Sequence, residues 1–315
     1  MKKVIRIRLF VVLFFLVVHG QIFSQGTTPK SDLAEMFSEN GEFSVRLPAS
    51  YDAFFNKNGF TISNGFNSFE LTNIYIINSY HDNSLLSFES YETVNPKMAV
   101  EILTASDKRL GTYRKLDAPP GFSIKEMSVK KKESLMIRRY IESATHIYVL
   151  TVGARDAETD AMRNFLDSQK LVKVEKGKTN PAIGPDSITL PKAKITGASI
   201  VVYKSPDDFV VPAPPPAGSV KTPDDPNIKR AECIFMGRAY FTAGARSSGE
   251  QGNVTLRITV TPNGGISKVE VKNELRGGLL GQAVFGALRT KCIPYEKAGV
   301  PTESKKLFSY SFSIY

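Results

Sequence analysis

Residues 253–315 read NVTLRITVTPNGGISKVEVKNELRGGLLGQAVFGALRTKCIPYEKAGVPTESKKLFSYSFSIY, and the order of elements in this stretch decides the fold around it. Val254, Leu256, Ile258 and Val260 alternate with Thr255, Arg257 and Thr259, the period-2 pattern of a half-buried strand. Pro262-Asn263-Gly264-Gly265 is turn chemistry that closes a hairpin, and Val269 and Val271 continue into a second strand. Leu280, Val284, Ala287 and Leu288 then recur at i, i+4, i+7 and i+8, one face of a helix. Gly277-Gly278 reads as the turn before that helix. Phe308, Tyr310, Phe312 and Ile314 alternate with Ser309, Ser311 and Ser313 in a closing strand. The expected order is strand, strand, helix, strand.

Working outward, residues 237–260 read GRAYFTAGARSSGEQGNVTLRITV. Ala245-Arg246, Gly252, the TPNGG turn, Lys291-Cys292-Ile293-Pro294 and Gly299-Val300-Pro301 follow one another in an order that resembles the C-terminal domain of the TonB energy-transducer family, over about residues 238–315. Ala239 and Phe241 stand where that family has Pro and Tyr, and Cys292 where it has an aromatic residue. The resemblance implies a non-enzymatic β-β-α-β domain that captures an extended segment of a partner protein, such as an outer-membrane receptor, as an added strand. The edge expected to receive it is Leu307, Phe308, Ser309, Tyr310, Ser311, Phe312, Ser313 and Ile314, with the aromatic residues and Ile314 toward the helix and the serines outward.

The remainder of the chain divides by composition. Residues 1–24 hold a basic head and an apolar run from Leu9 to Val18, too short for a comfortable span and suited to a cleavable secretory signal with cleavage after Gly20 or Ser24. The alternative is an uncleaved anchor, with His19 in the position of a membrane histidine. Residues 37–172 read as an α+β unit. Its expected strands are Glu42–Leu47, Leu71–Ile77, Leu85–Ser90, Ser123–Val129, Leu135–Glu142 and His146–Val152, and its expected helices are Pro96–Leu110 and Asp156–Gln169. NGEFSVRLP at 40–48, with HIYVLTV and NFLDSQKL near the end of the unit, resembles exported PsbP-like domains, which implies a small antiparallel sheet with helices and no shared chemistry. Residues 173–225 are a Pro-rich linker, extended at 213–218, with one short strand at 198–203. Residues 226–315 form the second domain, so the fold class is α+β with two small domains.

Charge and chemistry narrow the function. The net charge is +10, and removing Lys2, Lys3, Arg6 and Arg8 with the leader leaves +6. Lys130-Lys131-Lys132, the one tight basic cluster, reads as a solvated hairpin turn, so nothing marks a nucleic-acid partner. His19, His81 and His146 are scattered, and no His or Cys pair has metal-ligand spacing. Gly177-Lys178-Thr179 lacks the preceding glycine of a phosphate loop, and no Gly-x-Ser-x-Gly elbow is present, so no cofactor is expected. Cys233 and Cys292 are an even pair in an exported chain, either bridged or two buried thiols. The reading is a periplasmic binding module of envelope transport. Two alternatives remain: a membrane-anchored transducer for outer-membrane receptors, and a ligand-sensing or hydrolytic N-terminal unit with two converging carboxylates between about Tyr51 and Lys170.

Overall fold

Asp82 and Asn83 take φ values of 47° and 58°, the left-handed pair that a tight hairpin turn requires, and so join β5 (Ser68–His81) to β6 (Ser84–Glu92). The computed structural model describes residues 33–63, 68–107, 109–131, 133–175, 178–184, 187–192, 196–202, 225, 227–273 and 275–314. The apolar leader with His19, Gly177 and the Pro-rich run at 213–218 lie outside the described residues. Strands β1 (Leu33–Phe37), β2 (Phe43–Pro48), β3 (Asp52–Asn56) and β4 (Phe60–Ser63) precede that hairpin. After it come α1 (Pro96–Asp107), β7 (Arg114–Leu116), β8 (Ser123–Lys131), β9 (Ser134–Glu142), β10 (His146–Arg155), α2 (Asp160–Asp167) and β11 (Lys170–Leu171). The main sheet runs β3-β5-β6-β10-β9-β8-β7 with β4 also on β5, and every pairing in it is antiparallel.

Both helices are shorter than their periodicity predicts, for local reasons. Asn95 caps α1 through Met98 N–H, and the helix stops at Asp107, where Leu110 N–H returns to Asp107 O as a turn. Asp156 has φ 68° and cannot begin a helix, so α2 starts only after Thr159, whose hydroxyl accepts from Met162 N–H.

One face of the main sheet is covered by α2 and by a second sheet, β11-β2-β1-β12, with β12 at Ile188–Thr189. Phe43 of β2 stacks on Phe88 at 5.0 Å and on Tyr148 at 4.6 Å between ring centroids. The opposite face carries Ile74, Ile76, Tyr91, Tyr140, Ile147 and Val149, and α1 packs there.

The C-terminal elements close over that same face. They are β13 (Ser199–Val202), β14 (Ile228–Lys229), β15 (Glu232–Phe235), α3 (Ala243–Ser248), β16 (Gly252–Val260), β17 (Ile266–Val271), α4 (Leu279–Leu288), β18 (Lys291–Ile293), β19 (Tyr295–Lys297), β20 (Val300–Thr302) and β21 (Ser304–Phe312). The strand, strand, helix, strand order is present, and the sheet reads β13-β17-β16-β21. Its first member comes from the expected linker: Ser199–Val202 pairs in parallel with β17. Helix α4 is apolar on nearly every side, because it packs on β16 and β17 and also meets β4, where Phe285 and Phe60 stack at 4.2 Å. Val254, Leu256, Ala283 and Phe285 thus share one core with Ile74 and Val149, and residues 33–315 form one compact unit.

Two backbones touch at Gly237, where an added Cβ would lie 2.2 Å from Gly286 O of α4. Gly237→Ala is expected to cost about 1–3 kcal/mol by forcing that segment off the helix. Urea unfolding measures it, and a change below about 0.5 kcal/mol would show that the contact is slack.

Candidate docking edge

Strand β21 pairs with β16 over Val260↔Ser304 to Gly252↔Phe312 and, among the described residues, has no strand on its other side. Its backbone directions follow from its neighbour. Thr255 N–H donates to Asn273 Oδ1 at 3.0 Å and Thr255 O accepts from Lys272 N–H at 2.9 Å, so both groups point toward β17. In an antiparallel ladder the direction alternates, so Val254 and Leu256 turn theirs to β21 and exchange bonds with Tyr310 and Phe308. The N–H and C=O groups of Lys305, Leu307, Ser309 and Ser311 therefore point away from the sheet. The close side-chain approach expected of a non-bonded pair is seen at Ser311, whose Oγ lies 2.6 Å from Asn253 Oδ1.

The expected edge was Leu307 to Ile314; the strand instead starts at Ser304 and ends at Phe312. Phe308, Tyr310 and Phe312 lie on the helix side and Ser309 and Ser311 on the exposed side, the alternation read from the sequence. Ile314 departs from it. Pairing stops at Gly252, whose φ of 141° turns the partner chain away, and Ile314 is left 46% exposed instead of facing the helix. Ser313 likewise lies past the ladder. Sequence reasoning missed Lys305 and Lys306, whose charges at a strand start mark an edge kept from indiscriminate pairing. Leu307, 51% exposed, is the one large apolar side chain on the outer face of β21.

Beside the end of β21 lies a hollow of about 580 Å³, bordered by Tyr310, Phe312, Phe241, Arg109, Arg238 and Arg246. Arg246 lies over the Phe241 ring at 5.3 Å and Arg238 over Tyr240 at 5.9 Å.

A second group of residues, invisible to the sequence reading, is buried between the main sheet and the C-terminal elements. Glu89 of β6 meets Lys291 Nζ at 3.1 Å, Arg289 Nε at 3.3 Å and Arg138 Nη1 at 3.5 Å. Lys291 also donates to Asn78 Oδ1 at 3.3 Å, and Arg289 to the Tyr91 hydroxyl at 2.8 Å. Asp107 accepts from Tyr113 at 2.7 Å and lies 3.7 Å from Arg138 Nε. Burial alone would raise the Glu89 carboxyl; the three facing cations outweigh it and hold it well below the usual carboxylate range. Burial pulls the Lys291 ammonium down to about 8, against the opposing pull of Glu89. Glu89 and Asp107 do converge, on Arg138, yet all three side chains are buried and none borders the hollow beside β21. Among the described residues no group of three His, Cys, Asp or Glu is placed to hold a metal.

Cys233 and Cys292 face each other across the β15–β18 pair, with their sulfurs 2.02 Å apart as a disulfide. The family landmarks are spread over the C-terminal elements. Ala245 is buried in α3, Gly299 has φ 77° in the β19–β20 turn, and Thr261 N–H bonds Gly265 O at 2.9 Å across the TPNGG turn.

Residues 238–314 match the family model described as Gram-negative bacterial TonB protein C-terminal. This segment is a TonB C-terminal domain. TonB C-terminal domains are non-enzymatic protein-interaction domains of the cell envelope. In this chain the TonB-type domain spans about a quarter of the sequence and shares its core with the rest. No curated protein matches the chain. A crystal structure from Bacteroides thetaiotaomicron VPI-5482, at 1.50 Å resolution, is similar at 7% identity and a TM-score of 0.30, over 47% of this chain and 51% of that one. The chain thus spans about half the length of that protein, a likeness too distant to carry fold or function.

Proposed function

We propose that the protein is an exported, non-enzymatic binding module of the periplasm that takes a partner's extended segment as a new strand on β21, in the service of envelope transport. The observation that supports this reading most directly is the outward ladder of Lys305, Leu307, Ser309 and Ser311 on an open strand of a TonB-type domain. Main-chain bonds from a partner would satisfy those groups, and alternate side chains would set the choice of partner. Export rests on the apolar leader at residues 9–18. Among the described residues no helix is long and apolar enough to cross a membrane.

The test is proline scanning along β21. Ser309 N–H and Ser311 N–H are not used by the β16 ladder, so Ser309→Pro and Ser311→Pro leave the ladder's backbone bonds in place and delete a docking donor, Ser311→Pro also losing the exposed side-chain bond to Asn253. Each is expected to weaken capture of an envelope partner by the full chain about tenfold, with near-native unfolding. Undiminished capture by both variants would reject this edge. Because α4 shares its core with the main sheet, the assay uses the full chain rather than residues 226–315 alone.

A further inference from the structure

Every second side chain of a strand added to β21 projects to the same face as Phe308, Tyr310 and Phe312. On that face, at the end of β21, sits the hollow of about 580 Å³. Arg109 reaches it from the chain after α1, Arg238 from the segment before α3, and Arg246 from α3 itself. Among the described residues no acidic side chain borders it, and none of the three guanidinium groups is paired with a carboxylate. Elsewhere the fold pairs its arginines readily: Arg257 grips Glu270 through two bonds of 2.8 and 2.9 Å, and Arg155 holds Glu296 at 2.7 Å. Three like charges around one hollow repel each other, and an anion entering it relieves that repulsion. The rings beneath Arg238 and Arg246 hold two of the groups in place and leave their edges to form bidentate bonds.

We infer that this hollow is a specificity pocket that reads an acidic side chain, Asp or Glu, on the extended segment docked along β21. The inference rests on the strand-addition reading and sharpens it: the backbone of β21 supplies affinity for any extended peptide, and the arginines select acidic ones. The occupant is a peptide rather than a free anion, because the open ladder and the hollow adjoin at Tyr310, Ser311 and Phe312.

The experiment pans the full-length protein against phage-displayed random twelve-residue peptides, then titrates the synthesised winners. The expected result is a consensus with Asp or Glu at one fixed position. Changing that residue to Asn or Gln weakens binding about tenfold at low salt, and Arg238→Gln or Arg246→Gln in the protein does the same. The two losses are not additive, since each removes one side of the same contact. Winners that need Ser309 N–H, lost with Ser309→Pro, but show no acidic preference and no response to the arginine variants would overturn the pocket and leave the edge standing. Winners that bind Ser309→Pro and Ser311→Pro as well as wild type would overturn strand addition itself. Inorganic phosphate that binds as tightly as the acidic peptide, or a panning that returns no peptide, would count against the pocket as a peptide reader.

Discussion

Glu89→Gln is expected to lower the free energy of unfolding by about 3–5 kcal/mol, the cost of leaving buried cations without their counter-charge. Glu89 is the one acceptor shared by Arg138, Arg289 and Lys291, and all four side chains are at most 1% exposed. Neutralising it leaves Lys291 and Arg289 without a facing carboxylate among the described residues, and Arg138 with Asp107 alone. Urea unfolding at pH 7 measures the loss, and a change under about 1 kcal/mol would mean that water reaches the cluster. Adding Lys291→Met to Glu89→Gln should recover part of the loss, because one of the stranded charges is then gone.

The same cluster sets a pH dependence. The folded-state pKa of Glu89 lies below its unfolded value, so its contribution is full above the ordinary carboxylate range and is lost as pH falls through the folded value. Acid should therefore destabilise wild type more steeply than Glu89→Gln. Lys291 works in the other direction, with a folded pKa of about 8 against 10.5 when unfolded. Between those values the unfolded chain holds the proton that the folded chain has released, so this lysine's contribution to stability rises with pH.

Removing the disulfide is the other large effect. Cys233 and Cys292 are 59 residues apart, and closing a loop of that length restricts the unfolded chain by about 4 kcal/mol in the chain-entropy account. Cys233→Ala with Cys292→Ala is expected to cost about 2–4 kcal/mol, and reductant should lower the melting temperature of wild type while leaving the variant unchanged. Two thiols titrating in unreduced, denatured protein would show that the bridge is absent. Because the bridge joins β15 to β18, whose first residue is Lys291, its loss also loosens the segment that carries the buried lysine.

Much of the fold was legible because it depends on local periodicity and turn chemistry. The β5–β6 hairpin follows from Asp82-Asn83, the β8–β9 hairpin from its two flanking runs, although Lys130 and Lys131, read as turn, are paired residues of β8, and β16, β17, α4 and β21 follow from patterns within one stretch. Helix ends were less so: Asp156 looks like a good first-turn acid, yet its left-handed φ places it in the turn after β10. The cluster around Glu89 was not legible at all. In SLLSFESYE the polar residues Ser87 and Glu89 alternate with Leu86 and Phe88, as on any half-exposed strand, and nothing local says that the polar face is also covered. The one available signal was α4, whose sequence LLGQAVFGAL is apolar on too many sides for a helix with a single buried face.

By itself, then, the sequence determined the α+β class, the TonB-type order of the last elements and the alternation along β21, since each is written in neighbouring residues. Only the tertiary structure decided that the C-terminal elements share a core with the main sheet, that β13 takes one edge of their sheet, and that Arg109 joins Arg238 and Arg246 beside the other. Those outcomes depend on which surfaces meet. Burial and charge pairing set that among residues as far apart as Glu89 and Lys291, and no local pattern carries it.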